Sequence, residues 1–128
     1  MIAELLKRWS ELEPLRCRTY QGGLDGSVMY EVSMTIEQRS GWVAIGSFKH
    51  IKSMTGLAVL QYALQQAIAA HNFRLRLENP VGVWESFVFT IDDRGMVKLS
   101  PYQQGDEPAI AVLMSYVSCL ESLKEARQ

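Results

Sequence analysis

Between Val28 and Glu37 the chain alternates without a break. Val28, Tyr30, Val32, Met34 and Ile36 are apolar, and Met29, Glu31, Ser33, Thr35 and Glu37 fall between them. Five apolar residues at period two line one face of an extended strand, and a helix of 3.6 residues per turn would scatter them. The chain therefore contains a strand with one buried and one wetter face. Such a strand needs a neighbour. Arg39-Ser40-Gly41 reads as the turn into a return strand, Trp42 to Phe48, and the pair reads as a hairpin.

The remaining segments fall around this hairpin. Residues 2–13 form an amphipathic helix with Ile2, Leu5, Leu6, Trp9 and Leu12 on one face, stopped by Pro14. Residues 16–20 form a short strand, and Gly22-Gly23 and Asp25-Gly26 mark turns. Ser53 or Thr55 can cap a second helix that runs to about His71, with Leu57, Leu60, Leu64, Ala67 and Ile68 as its stripe. No charge occurs between Lys52 and His71, so this helix is buried or docked against a partner. Phe73 to Glu78 and Trp84 to Ile91 are further strands. Asp92-Asp93-Arg94-Gly95 is a hairpin loop with a glycine free to turn left-handed, and Val97 and Leu99 return from it. Asp106 reads as the N-cap of a last helix, with Pro108 in its first turn and Ile110, Leu113, Val117 and Leu120 as its stripe. The expected architecture is one α+β domain over residues 1–128: an antiparallel sheet of five to six strands and three helices, in the order α-β(β)β-α-βββ-α.

Charge narrows the function. Thirteen basic and 14 acidic residues give a net charge of -1, which argues against a dedicated nucleic-acid binder and against a polyacidic mimic. The N-terminal residues lack a signal-peptide layout, and no stretch approaches the roughly 20 apolar residues of a membrane span. The cytoplasm is the expected address, with no membrane partner. Cys17 and Cys119 read as reduced, buried small hydrophobes.

No local pattern carries bond-making chemistry. His50 and His71 are isolated, so neither a metal site nor a cofactor is expected. No nucleophile elbow or phosphate loop occurs. Arg16 and Arg18 flank Cys17, but in a strand they point away from its thiol. Glu31 and Glu37, placed on one strand face, would lie about 20 Å apart, too far to act as a pair. Arg74 and Arg76 share a strand face. With an aromatic neighbour they could grip a carboxylate or phosphate, and without one they discourage edge pairing. Trp9 belongs to the core, while Trp42 and Trp84 begin strands, where part exposure is expected. The chain reads as a non-enzymatic domain that binds another protein. The residues whose chemistry best suits a partner surface are Glu31, Glu37, Trp84, Asp92, Asp93 and Tyr102.

One segment carries a resemblance. Leu60-Gln61 and Ala63-Leu64-Gln65 on a helix are followed by Trp84, by Phe87-Val88-Phe89-Thr90-Ile91-Asp92, by Gly95 and by Tyr102. This pattern, from about Gly56 to Tyr102, resembles the back half of YezG-like bacterial immunity proteins. The resemblance implies an antitoxin that binds and blocks a cognate toxin. The order helix, strands, helix, strands, helix is also similar to class I type III secretion chaperones, which implies a homodimer that holds an unfolded effector segment. A phage-encoded inhibitor and a small enzyme whose site is assembled from distant residues are the remaining alternatives.

Overall fold

The computed structural model describes residues 2–22, 26–47, 51 and 53–127. The chain is α+β: among the described residues it has three helices and seven strands in the order α-βββ-α-ββββ-α. The strands form two antiparallel sheets rather than one. Two compact units, Met1–Gln66 and Ala67–Gln128, each hold one sheet, and the boundary falls within the second helix.

In the first unit, α1 (Ile2–Leu12) buries Ile2, Leu6 and Trp9. The Trp9 indole donates to Glu13 Oε1 at 3.0 Å, so the ring is fully buried without an orphaned N–H. Sheet 1 runs β1 (Cys17–Gln21), β2 (Val28–Ile36), β3 (Arg39–Ser47). Tyr30, Val32 and Met34 are buried, as the alternation demands. Cys17 lies on that same face, opposite Val32, and its thiol contacts the Leu6 carbonyl at 3.5 Å. Burial, reinforced by the charge of Glu13, pushes the Cys17 thiol up to about 12. Cys17 and Cys119 are both buried, and no disulfide joins them.

The β2–β3 turn is not where residue preference put it. Arg39-Ser40-Gly41 lies inside β3, and the turn is the pair Glu37-Gln38, closed by Ile36 opposite Arg39. Both turn residues have positive φ, 49° and 67°, the geometry of a primed two-residue hairpin without its usual Asn or Gly. The glycine turn read at residues 22–26 lies largely outside the described residues, as do Phe48, Lys49, His50 and Lys52.

The helix α2 spans Met54–Ala70. Ser53 caps it, its hydroxyl accepting from the Gly56 N–H at 3.1 Å. Gly56 is required there: a Cβ would stand 2.7 Å from the Ile45 carbonyl oxygen and 2.9 Å from that of Ile51. Further along, Gln66 ends a sheet edge. Beyond Cys17, β1 no longer covers β2, and the Gln66 amide takes its place, accepting from the Thr35 N–H at 2.8 Å and donating to its carbonyl at 2.6 Å.

In the second unit, α2 stops at Asn72, whose φ is 60°. The Phe73 N–H reaches back to the Ile68 carbonyl and the Asn72 N–H to that of Ala69, a Schellman closure. Sheet 2 is built on a central strand, β5 (Trp84–Asp92). One edge of β5 pairs with β4 (Arg74–Glu78). The other edge pairs first with β6 (Gly95–Lys98), then with β7 (Gln103–Gly105), a short polar strand that alternation does not reveal. Between them the ladder breaks at Val88. The Ser100 hydroxyl fills the gap, accepting from the buried Val88 N–H at 2.9 Å.

The last helix, α3 (Pro108–Ala126), has Glu107 rather than Asp106 at its N-cap position, and the Glu107 side chain makes no capping hydrogen bond. Pro108 is the first helical residue, which sets the boundary one position later than residue preference suggests. It packs on one face of β5 through buried serines. Ser86 Oγ lies 2.7 Å from the Ala111 carbonyl and 2.5 Å from Ser115 Oγ, and Ser115 Oγ lies 2.9 Å from the Ser86 carbonyl. Two hydroxyl protons are thus shared among three contacts.

Candidate functional site

Alternation along β5 assigns Ser86 and Val88 to the α3 side, so Glu85, Phe87, Phe89 and Ile91 occupy the opposite face. Strand register places their neighbours in rows across the sheet. Glu78 stands beside Glu85, and Gln104 beside it in turn. Arg76 stands beside Phe87. Arg74 and Lys98 flank Phe89 from either side. Ile91 faces Met96 near the hairpin end.

Tyr102 completes the face. Its ring meets Phe87 edge-on at 4.7 Å between centroids, and the Lys98 ammonium sits 4.0 Å from the Tyr102 centroid and 5.1 Å from that of Phe87. Phe87, only 1 % exposed, is roofed by these groups, whereas Ile91, Met96 and Tyr102 remain 52 %, 53 % and 54 % exposed. The result is an aromatic and aliphatic strip bordered by three cations. Their charges differ in availability. Arg76 donates to Glu78 at 2.6 Å, and this hydrogen bond and the Glu78 charge raise its pKa further. The Gln104 amide donates to Glu85 at 2.8 Å. Arg74 and Lys98 have no ion-pair partner among the described residues.

The solvent side of sheet 1 uses similar residues differently. Arg18 reaches Glu31 at 2.8 Å and stacks 4.1 Å from the Trp42 ring centroid. Its charge is already matched.

The residues expected at a partner surface divide between the two units. Glu31 is half-buried and held by Arg18. Glu37 is exposed but lies in the hairpin turn, not on the strand face with Glu31. Trp84 is half-buried and, two positions from Ser86, belongs to the α3 side of β5, so it does not join Tyr102. Asp92 accepts from the Arg94 N–H at 2.8 Å, while Asp93 is exposed in the turn, and Gly95 takes φ 115° as the loop required. Only Tyr102 of the six lies on the cation-bordered strip. Lys98, Phe87 and Phe89 are not among those six, because only strand register brings them beside the Arg74 and Arg76 pair.

No group of three or more His, Cys, Asp or Glu side chains is placed to hold a metal among the described residues. No helix there is long and apolar enough to cross a membrane. His71 stacks on Phe73 at 5.0 Å. Comparison of the chain with family models, with curated proteins and with solved structures returned no match.

Proposed function

We propose that this chain is a non-enzymatic protein-binding domain, an immunity-type protein that binds and neutralises a bacterial toxin through the open face of sheet 2. The observation that carries this is the strip of Phe87, Phe89, Tyr102, Ile91 and Met96 bordered by Arg74, Arg76 and Lys98. Aromatic anchors beside arginine are the composition of interface hot spots. Phe87 and Lys98 pack against Tyr102, so less side-chain freedom remains to be lost on binding. Of the hairpin residues that resemble an immunity protein, Phe87, Phe89, Ile91 and Tyr102 lie on this face.

Co-expression with the toxin encoded beside the chain tests the reading. Cells should survive with the unaltered protein and die with Phe89→Glu, provided that variant is produced in soluble, folded form. Cell death despite ample unaltered protein overturns it.

A second reading has one observation in its favour. The order of one helix, three strands, one helix, four strands and one helix is similar to that of secretion chaperones. It requires a homodimer that holds an unfolded segment. Sedimentation at micromolar concentration separates the two, since a monomer excludes the chaperone reading.

A further inference from the structure

We infer that the partner segment seated on the open face of sheet 2 is acidic, with carboxylates on both sides of an apolar side chain, a conclusion that rests on the protein-binding reading above. The argument is one of charge and spacing. Arg74 and Lys98 stand on either side of Phe89, across adjacent strands. Strands about 4.8 Å apart put their Cα atoms roughly 10 Å from each other. Phe89 between them is half-buried, and the exposed pair Ile91 and Met96 continues the strip towards the hairpin turn. An apolar side chain can lie on Phe89 while one carboxylate meets the Arg74 guanidinium and another meets the Lys98 ammonium, which leans over Tyr102 and Phe87. Among the described residues these two cations are the unmatched charges of the face, because Arg76 is taken by Glu78. An unmatched cation held against aromatic surface gains most from an anion that arrives with its own apolar cover.

The same face disfavours a polyphosphate strand. Glu78 and Glu85 stand side by side at the end of the strip, where a nucleic-acid backbone tracking past Phe87 would meet their charge. A protein segment can end its acidic stretch before that point.

Fluorescence anisotropy with a labelled heptapeptide of alternating Glu and Leu provides the test. A Lys–Leu peptide of the same length and an oligothymidylate serve as competitors. The acidic peptide should bind, weaken as salt rises, and lose roughly tenfold in affinity for each of Arg74→Glu and Lys98→Glu. Lys98→Gln should lose less than Lys98→Glu, and Arg18→Glu on sheet 1 should change affinity less than about twofold, as a surface charge away from the contact does. Equal binding of the Lys–Leu peptide, tighter binding of the oligothymidylate, or no effect of the Arg74 and Lys98 reversals overturns the inference. Toxin neutralisation that survives both reversals also overturns it while leaving the immunity reading intact. Cell death with the unaltered protein defeats that reading instead.

Discussion

Ser100→Ala should cost more than any other loss of a single hydroxyl from sheet 2. The ladder of β5 passes from β6 to β7 at Val88, where no strand residue stands opposite. Leu99 and Ser100 both send their N–H to the Val88 carbonyl, at 2.8 and 3.2 Å, so the acceptor is well served. The Val88 N–H has the Ser100 hydroxyl as its acceptor, and Val88 is fully buried. Alanine leaves that donor unsatisfied, at about 1–3 kcal/mol. For a chain of 128 residues the unfolding entropy is about 0.27 kcal/mol per kelvin, so a loss of ~2 kcal/mol lowers Tm by about 7 °C. Ser100→Thr keeps the oxygen and should lose much less. Calorimetry gives the melting temperatures, and hydrogen exchange reads the Val88 amide itself. The corner formed by Leu99 and Ser100 also leads from Lys98 to Tyr102, so the alanine variant should bind its partner more weakly. If Ser100→Ala melts within about 2 °C of the unaltered protein and the Val88 amide keeps its protection, the reasoning fails.

Three further outcomes follow from the first unit. Gly56→Ala should lower stability by about 1–3 kcal/mol in urea unfolding, because backbone oxygens at 2.7 and 2.9 Å from the new Cβ cannot simply swing aside. Glu37→Asn with Gln38→Gly should raise the urea midpoint by an amount worth about 1 kcal/mol, since both positions have positive φ. Cys17 should resist N-ethylmaleimide at neutral pH until the protein is unfolded. Its folded pKa, raised from 9.0 to about 12, lies above the unfolded value, so its contribution to stability is intact below pH 9 and is lost as pH climbs towards 12. Cys17→Ala should flatten that alkaline decline in melting temperature.

The helices and most strands were legible because burial writes a period into the chain. Val28 to Ile36 announces one wet and one dry face, and Ile2, Leu6 and Trp9 announce a helix stripe. What was not legible is what periodicity does not encode. Alternation says which side chains share a face but not which strands pair, so two sheets looked like one. Gln103-Gln104-Gly105 has no apolar alternation, and β7 exists only because β5 offers it an edge. Arg39-Ser40-Gly41 carries turn-forming residues, yet the register of the hairpin places the turn two residues earlier, on Glu37 and Gln38. The site was hidden for the same reason. Arg74 and Arg76 were visible as a pair of cations on one face, but Lys98 and Tyr102 follow more than twenty residues later and meet them only across β5.

The two wet sheet faces, taken together, show why composition alone cannot find a binding surface. Each carries arginine, an aromatic ring and glutamate. On sheet 1 the three form a closed set: Arg18 lies against Trp42 and gives its hydrogen bond to Glu31. An approaching anion would have to displace a carboxylate already in place, and the exchange gains little. On sheet 2 the glutamates gather at one end, where Glu78 holds Arg76 and Glu85 is held by Gln104. The other end is left with Arg74, Lys98 and exposed apolar surface. An incoming carboxylate there displaces only water, and an apolar neighbour buries Ile91 and Met96 at the same time, at about 25 cal/mol for each Å² of apolar area covered. The distinction between a finished surface and an unfinished one lies in the strand register, which decides whether each charge meets its complement inside the fold or leaves it to a partner.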